Sequence, residues 1–548
     1  MTSPRSTMTS PKKRPWAVPM TALSLATALL LTGCGTAGTL GSPDAAGGTT
    51  GADSDTGTAT GTTAGWSSQV LTEEIAEATH YDADDTDYAE EDLTEVSLEG
   101  AGATVTGADA DTVAVNEQDG EPVLTISGSG TYRLSGSFDG TVVVASGEED
   151  AVQVILAGAD IASPNGTALR IDSADEVTVL LAEGSENTLT DAAAYADTST
   201  EAADAALYSA SDLTIAGSGS LAVEGRYLDA IHSSDGLVID GAAITVRAAD
   251  DGIVGKDYVA LLSGTVQVTA AQDGVKSSDD EDPERGWLSV YGGDLRVAAG
   301  DDGVKAETTL AISGGTVTVT ESTEGLEAYD LQITGGSTTV TAADDGVNAS
   351  GGAAASEGGQ SITVTGGGLT ITAEGDGLDS NGDAAISGGT VVVNGPEGDG
   401  NGAVDVAGSF TVTGGSLAAA GSDGMAQGLG GDSTQGGLQV SLPETVEAGT
   451  VLLVADADGT VVASFTTAKK AASLVLSVEG IEDGAEYTVY SAVDGLGGAG
   501  LTSGPALDDA VSVDGATELT TVTAGEYSAG MGGPGGAPGG GMGGMPAW

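Results

Sequence analysis

A short sequence unit repeats through the middle of the chain, and this repeat constrains the fold more than any other feature. Each copy joins an acidic residue, a glycine and an apolar residue, as at 251–253, 273–275 and 302–304. We call the apolar residue the marker of its copy. Successive markers are 21 or 22 residues apart, apart from three longer steps of 29, 31 and 26 residues. A fixed period of this size is typical of a solenoid whose coils stack on one another.

A second unit occurs in the same periods and predicts the strands of a coil. Val, Ile, Leu and Thr alternate with other residues on both sides of a Gly-Gly pair, as in 310–320, 331–341 and 362–372. This pattern is typical of two short strands that meet at a bend, so one period supplies three strands. Stacked coils bury their apolar side chains at the ~4.8 Å spacing of paired strands. The sequence therefore predicts an all-β fold, a right-handed parallel β-helix with coils of about 22 residues, because parallel crossovers are almost always right-handed.

The markers predict the interior of this helix. All of them are apolar, and in a stack of coils they would form one buried column. The column consists of Ile231, Ile253, Val275, Val304, Leu326, Val347, Leu378, Val404 and Met425.

The N-terminal region has the features of an exported lipoprotein. Three basic residues at 12–14 precede an apolar stretch from 18 to 31, which is too short for a comfortable membrane span and is typical of a secretory signal. The stretch ends in Leu-Thr-Gly-Cys, where Cys34 is the only cysteine of the chain. This ending resembles the bacterial lipobox. The resemblance implies lipid attachment at Cys34 and a position on the extracellular side of the bacterial cell membrane.

Changes in composition divide the chain into segments. A Gly/Thr/Ala/Ser/Asp-rich stretch follows the signal, and a Gly/Met/Pro-rich stretch ends the chain. A small β domain after the repeats would cover the open strand edge of the solenoid. The predicted segments are a signal peptide (1–33), a flexible linker (34–65), an acidic N-terminal segment and cap (66–119), the parallel β-helix (120–435), a C-terminal β cap (436–529) and a disordered tail (530–548).

The charge of the chain excludes one class of partner. Asp and Glu number 82 against 15 Lys and Arg, which gives a formal net charge of −67. Such a surface repels phosphate backbones, so we expect no nucleic-acid partner.

The acidic residue that precedes the marker recurs on eight coils and predicts a calcium-binding face. Stacking would place these carboxylates about 5 Å apart, where they repel one another unless a cation lies between them. Calcium takes roughly six to eight oxygen ligands and suits such an arrangement. The alternative is that Asp-Gly is a common turn pair that needs no ligand. The predicted ligands are Asp250, Asp251, Asp273, Asp279, Asp280, Asp301, Asp302, Asp344, Asp345 and Asp376.

Two lysines, Lys276 and Lys305, follow the marker on successive coils. They neutralise the neighbouring Asp residues, or they contact the carboxylates of an acidic glycan, or Lys276 acts as the base of a polysaccharide lyase. The residue pattern leaves these three roles open. His232 occupies the same position and is expected to be an exposed surface histidine. Trp287 and Tyr291 lie near repeat edges and are predicted to stack on sugar rings, with packing as the alternative.

Several motifs in their order along the chain resemble the clostridial-type carbohydrate-binding β-helix family. They are the segments 130–136, 182–191, 273–282 and 421–427. The resemblance runs from about 96 to about 495. It implies a right-handed parallel β-helix similar to pectate lyases, which holds calcium and binds acidic plant polysaccharide or cellulose.

Three function classes remain open at this stage. The first is a non-catalytic, calcium-containing polysaccharide-binding protein on the cell surface. The second is a pectate-type lyase that uses Lys276 and calcium, and the third is a structural or adhesive stalk. The sequence favours the first class.

Overall fold

The computed structural model describes residues 75–76, 78–118, 120–199, 202–351, 359–492, 500–503 and 511–527. These residues belong to one compact unit, 66–548. Cys34, the predicted signal peptide, the predicted linker and the predicted C-terminal tail lie outside the described residues. Within the described ranges, no helix has the length and apolar character needed to cross a membrane.

The described chain consists almost entirely of β-strands, with 3-10 helices at Ala83–Thr86, Glu90–Asp92 and Ala110–Thr112. The first strands are β1 (Leu93–Gly100), β2 (Gly102–Gly107), β3 (Val113–Gln118), β4 (Glu121–Ile126), β5 (Gly130–Phe138), β6 (Thr141–Ala145), β7 (Ala151–Ala162), β8 (Leu169–Ser173), β9 (Glu176–Leu181) and β10 (Glu186–Thr190). The repeats contain β11 (Ala205–Ser209), β12 (Asp212–Gly217), β13 (Ser220–Gly225), β14 (Asp229–Ser233), β15 (Gly236–Asp240), β16 (Ala243–Ala248), β17 (Ile253–Gly255), β18 (Tyr258–Leu261), β19 (Thr265–Thr269), β20 (Val275–Ser277), β21 (Trp287–Val290), β22 (Asp294–Ala298), β23 (Val304–Ile312), β24 (Thr316–Glu321), β25 (Leu326–Ile333), β26 (Ser337–Ala342), β27 (Val347–Ala349), β28 (Ser361–Val364), β29 (Gly368–Ala373), β30 (Leu378–Ser380), β31 (Asp383–Ile386), β32 (Thr390–Asn394), β33 (Val404–Val406), β34 (Phe410–Val412) and β35 (Ser416–Gly421). The last strands are β36 (Leu438–Val446), β37 (Val451–Ala455), β38 (Val461–Thr466), β39 (Ala471–Ser477), β40 (Glu486–Ala492), β41 (Gly500–Ser503) and β42 (Thr517–Thr523).

The strands of the repeats stack in coils of three. Over most of the repeats a strand pairs in parallel with the strand three positions later, as in β11 with β14 and β14 with β17. Where two strands of a coil merge, as in β23 and β25, the longer strand pairs with partners on two faces. The coils therefore have three faces.

We call the three faces the marker face, the aromatic face and the third face. The marker face contains β4, β6, β8, β11, β14, β17, β20, the starts of β23 and β25, β27, β30 and β33. The aromatic face contains β1, β5, β7, β9, β12, β15, β18, β21, the ends of β23 and β25, β28, β31 and β34. The third face contains the end of β7, then β10, β13, β16, β19, β22, β24, β26, β29, β32 and β35.

The marker column forms the interior of the marker face, as predicted. The residues from Ile231 to Val404 pair in register from coil to coil. Each is at most 4% exposed, and burying an aliphatic side chain of this size contributes about 1.5–3 kcal/mol. The last predicted member is wrong, because Met425 lies half-buried in a turn beyond β33.

The glycine before the marker is required by close packing. A Cβ on Gly274 would lie 2.2 Å from Val297 Cγ1 and 2.5 Å from the carbonyl oxygen of Gly303. The second glycine of the Gly-Gly bends has a different role, since Gly336 has a φ of +70°, a conformation that favours glycine. Close packing therefore requires the first kind of glycine, and a positive φ favours the second.

The two ends of the stack differ from its middle. β1 pairs in parallel with β5, so that stacking begins at Leu93, inside the segment predicted as an N-terminal cap. At the other end, β35 pairs antiparallel with β39, which also pairs antiparallel with β36. A separate antiparallel sheet follows, in the order β41-β38-β37-β40-β42.

Candidate functional site

The acidic residues before the markers form a hydrogen-bonded ladder along the marker face. The backbone N–H of Asp251 donates to Asp229 Oδ1 at 3.1 Å, and that of Asp273 donates to Asp251 Oδ1 at 2.9 Å. The N–H of Asp302 donates to Asp273 Oδ1 at 3.0 Å. One oxygen of each carboxylate is therefore used to join coils, a role that neither sequence interpretation of Asp-Gly predicted. The other oxygen is left for a second partner.

The same type of bond recurs in the later coils. The N–H of Asp376 donates to Asp345 Oδ1 at 2.6 Å, and the N–H of Gly402 donates to Asp376 Oδ1 at 2.6 Å. Asp423 lies outside the ladder, because its carboxylate accepts instead from the Ser441 hydroxyl at 2.7 Å.

Lys276 and Lys305 neutralise the ladder in the middle coils. Lys276 Nζ lies 2.8 Å from Asp273 Oδ2 and 3.4 Å from Asp251 Oδ2. Lys305 Nζ lies 2.6 Å from Asp302 Oδ2 and also contacts the Glu327 carboxylate. Burial lowers the pKa of the Lys276 ammonium, but the ion pairs with Asp273 and Asp251 outweigh it and hold that pKa above its usual value. A raised pKa is the opposite of what a lysine base requires.

The last coils carry acids at the position of these lysines. We call the residues that directly follow the markers the outward column. In this column Glu327 pairs with Asn348, Asn348 with Asp379, and Asp379 with Asp405. We define the acidic end as Asp345, Asp376, Asp379 and Asp405. Within the described residues, no ion pair joins a Lys, Arg or His side chain to any of these four carboxylates.

Burial and mutual repulsion perturb the acidic end. Burial raises the pKa of Asp379 to about 7, with further contributions from the charges of Asp345, Asp376 and Asp405. Burial likewise raises the pKa of Asp376 to about 6, with Asp345 and Asp405 adding to the shift. These carboxylates ionise at a cost because no cation balances them.

A buried amide oxygen lies in the same region. Asn348 is 7% exposed, and its Nδ2 donates to Glu324 Oε2 at 2.8 Å. Its Oδ1 has no hydrogen-bond partner in the described part of the chain. A buried oxygen without a donor beside several carboxylates is an arrangement that an oxygen-preferring cation completes.

The remaining predicted calcium ligands are dispersed. Asp250 is half-buried, and Asp301 and Asp344 are exposed. Asp279 is buried, but its Oδ1 accepts the backbone N–H groups of residues 281 and 282 and thereby holds its own loop. Asp280 in that loop is exposed. The structure does not bring this loop into the ladder.

The predicted aromatic sugar contacts lie on another face. Trp287 pairs in register with Tyr258 on the aromatic face, and their rings stack with centroids 4.7 Å apart. Tyr291 and Trp287 pack against a cluster that includes Ile75 from the N-terminal segment. His80 from this segment also lies 2.6 Å from the Tyr258 hydroxyl. Trp287 and Tyr291 are thus separated from Lys276 and Lys305.

His232 is not the exposed histidine expected from the sequence. Its side chain is 18% exposed, and its Nδ1 lies 2.7 Å from Asp204 Oδ1 and 3.4 Å from Asp229 Oδ2. Burial lowers the pKa of His232, but the two carboxylates outweigh this effect and raise it to about 9. Asp204 was missed from the sequence because it lies outside the recognised repeat, and only the pairing of β11 with β14 brings it to His232.

Comparison with known proteins identifies a related segment. Residues 119–362 match the family model "Carbohydrate-binding domain-containing protein". A protein of that same description from Acetivibrio thermocellus is 35% identical over 147 residues, which are 26% of this chain and 51% of the relative. The chain thus spans about half the length of that relative.

A solved structure also resembles the chain. It is the gadolinium derivative of a polysaccharide lyase-like protein from C. thermocellum, with 24% sequence identity and a TM-score of 0.38. The alignment covers 54% of this chain and 96% of the other.

Proposed function

We propose that this protein binds polysaccharide at the cell surface, through calcium on the marker face and without catalysis. The observation that carries the proposal is the family match over 119–362, a segment that contains the carboxylate ladder from Asp229 to Asp302. The preferred glycan is acidic, because calcium can join its carboxylates to those of the protein.

The architecture proposed for this function is a right-handed parallel β-helix. Parallel pairing of each strand with the third strand along the chain supports it, as in β12 with β15 and β15 with β18. The hand follows from the rule for parallel crossovers.

Calcium is proposed at the acidic end rather than in the middle coils. Asp302, Glu324 and Glu327 bring three ligand atoms within 4.8 Å of one another, but Lys305 already pairs with two of them. The acidic end offers carboxylates without an ammonium partner, and Asn348 Oδ1 supplies a neutral oxygen beside them. Carboxylate and amide oxygens are the ligand types that calcium prefers. Bound calcium would neutralise the carboxylates and leave positions for oxygens of a glycan.

A calcium ion between the protein and an acidic glycan would also reduce the repulsion between their negative charges. A chain of net charge −67 repels a polyuronate. Lys276 and Lys305 are engaged by their own carboxylates and do not offset this repulsion. Binding of an acidic glycan should therefore depend on calcium.

A lyase is the less favoured alternative. The pKa of Lys276 is held above its usual value by Asp273 and Asp251, despite the opposing effect of burial. The lyase would need Lys276 neutral at the start of proton abstraction.

The cell-surface part of the proposal rests on the sequence around Cys34. Replacement Cys34→Ser should release the protein from the membrane fraction of the native bacterium. Retention of this variant in that fraction would contradict the lipoprotein assignment.

The central experiment is a glycan array probed with the full chain in calcium and in chelator. We expect retention on acidic glycans in calcium, loss in chelator, and no absorbance from unsaturated uronate. The Asp379→Asn variant should weaken retention at least about tenfold, a difference of about 1.4 kcal/mol, while the exposed matched variant Asp301→Asn should not. Unsaturated product would favour the lyase, and no retention on any glycan would favour the stalk.

A further inference from the structure

The first coils of the marker face contain a cluster with mixed nitrogen and oxygen ligands. His232 lies on β14, Asp229 begins that strand, and Asp204 directly precedes β11. The ligand atoms of these three side chains all lie within 4.8 Å of one another. Their separation from the acidic end along the stack makes this cluster distinct from the proposed calcium region.

Hydrogen bonding leaves one oxygen of this cluster poorly satisfied. Asp229 Oδ1 accepts the N–H of Asp251 at 3.1 Å, whereas Asp229 Oδ2 faces the imidazole at 3.4 Å. The single Nδ1 proton of His232 is directed to Asp204 Oδ1 at 2.7 Å. A separation of 3.4 Å is beyond the normal range for such a bond. Asp229 is only 7% exposed, and its Oδ2 meets the shared imidazole only at this long distance.

The surroundings favour a cation in this position. Lys276, the ammonium on the same outward column, is already paired with Asp273 and Asp251. Tyr208 meets the His232 ring edge-on, with centroids 5.6 Å apart. Two carboxylates therefore share one imidazole proton.

The ligand types distinguish between metals. An imidazole nitrogen with two carboxylate oxygens suits zinc and similar transition metals, which bind such atoms at about 2.0–2.2 Å. Calcium prefers a larger shell made only of oxygens. The nitrogen ligand therefore separates this cluster from the acidic end.

We propose that Asp204, Asp229 and His232 form a transition-metal site of the zinc class, with His232 Nδ1 and one oxygen from each carboxylate as ligands. The metal replaces the proton that Nδ1 now shares with Asp204, and that proton is released to solvent. The three side chains leave further coordination positions for water or for an oxygen of a bound ligand.

The test uses the full chain, stripped with chelator and titrated with Zn²⁺ and separately with Co²⁺. We expect one Zn²⁺ bound more tightly than the many weak sites of an acidic surface, and a visible Co²⁺ absorption band from a site with nitrogen and oxygen ligands. The His232→Gln variant should lose the band and weaken Zn²⁺ binding at least about tenfold, which is 1.4 kcal/mol.

A matched control is available because the chain has two histidines. His80 also faces a carboxylate, with its Nδ1 3.1 Å from Asp212 Oδ1, so His80→Gln should keep the band. Asp204→Asn should weaken Zn²⁺ binding while its amide oxygen still accepts the His232 bond. Absence of the band in the parent, or its retention in His232→Gln, would overturn the proposal. Calcium-dependent glycan retention should be unchanged in His232→Gln, which separates this result from the fate of the proposed function.

Discussion

The lysine-paired coils, defined by Asp251, Asp273 and Asp302, and the acidic end share one turn but differ in their charge balance. In both regions a carboxylate Oδ1 accepts an N–H from the next coil, at 2.9 Å for Asp251 and 2.6 Å for Asp376. The residue that follows the marker is Val254, Lys276 or Lys305 in the first region. In the second region it is Asn348, Asp379 or Asp405.

This difference shows that the aspartate before the marker has two separate roles, one in hydrogen bonding between coils and one in pairing with a cation. Coil-to-coil hydrogen bonding is satisfied in both regions, so it does not require a lysine. The outward residue after the marker decides whether the second carboxylate oxygen has an internal cation. A single position per coil therefore sets the local charge of the face, and we propose that it decides which coils bind an external cation.

The largest expected effect on stability follows from replacing a lysine in the first region. Lys305→Met keeps the aliphatic stem but leaves Asp302, whose side chain is 4% exposed, beside Glu327 without an ammonium. We expect the free energy of unfolding to fall by about 3 kcal/mol, as for other broken buried pairs. Denaturant unfolding at pH 7.5 measures this change. Lys256→Met, at an exposed position, should shift it by less than about 0.5 kcal/mol, and an equal loss in the two variants would contradict the comparison.

Removal of a negative charge from the acidic end should instead raise the free energy of unfolding. Asp379→Asn removes a negative charge that lies near those of Asp345, Asp376 and Asp405. In chelator at pH 7.5 we expect a gain in the free energy of unfolding of about 1–2 kcal/mol. The matched change Asp273→Asn should destabilise, because it deprives Lys276 of a partner at 2.8 Å. Two changes of the same sign in thermal unfolding would remove the distinction between the regions.

Much of this contrast could have been read from the sequence. The position after the marker holds Lys276, Lys305 and His232 in some coils and Asp379 and Asp405 in others. The marker column was predictable because the period and the apolar residues coincide. The prediction for Met425 was wrong because the chain forms a turn there in place of a strand. The Gln427 side chain bonds the backbone of Val406 where a paired strand would do so, and periodicity alone does not reveal this change.

Other parts of the site depend on three-dimensional neighbours. Asp279 follows Lys276 closely in sequence, yet it accepts hydrogen bonds within its own loop. Trp287 belongs to a different face, where the N-terminal segment packs nearby. The unsatisfied Asn348 Oδ1 has no sequence signal, because it results from the way the surrounding donors are used.

A smaller effect is expected from pH. The pKa of Asp379 is raised to about 7 and that of Asp376 to about 6, chiefly by burial. The folded state thus holds more protons than the unfolded state from about pH 4 to 7, and stability falls as pH rises through this range. Without calcium, the parent should be more stable at pH 5.5 than at pH 7.5.

The variant Asp379→Asn isolates the part of this dependence that belongs to the acidic end. Burial also raises the pKa of Asp251 to about 6, so the parent responds at more than one place. We expect the stability difference between pH 5.5 and 7.5 to shrink by about 1 kcal/mol in the variant. An unchanged difference in melting experiments would show that Asp379 does not titrate in this range.

The smallest effect is expected where the acids are exposed. Asp301 and Asp344 lie in solvent beside the two regions. Asp301→Asn and Asp344→Asn should each change the free energy of unfolding by less than about 0.5 kcal/mol. A larger change in either variant would show that these exposed carboxylates also interact with the charges of the ladder.

The carboxylate ladder also bears on how such a chain can evolve. The same pair of atoms joins successive coils whether the two acids are 22 residues apart, as Asp251 and Asp273, or 31 apart, as Asp345 and Asp376. Loops of different length therefore enter between coils without disturbing the junction. Duplication or deletion of a whole coil would preserve the junction as well. The number of coils and the sequence of outward residues can thus diverge independently, and the charge of the face can change by a single codon per coil.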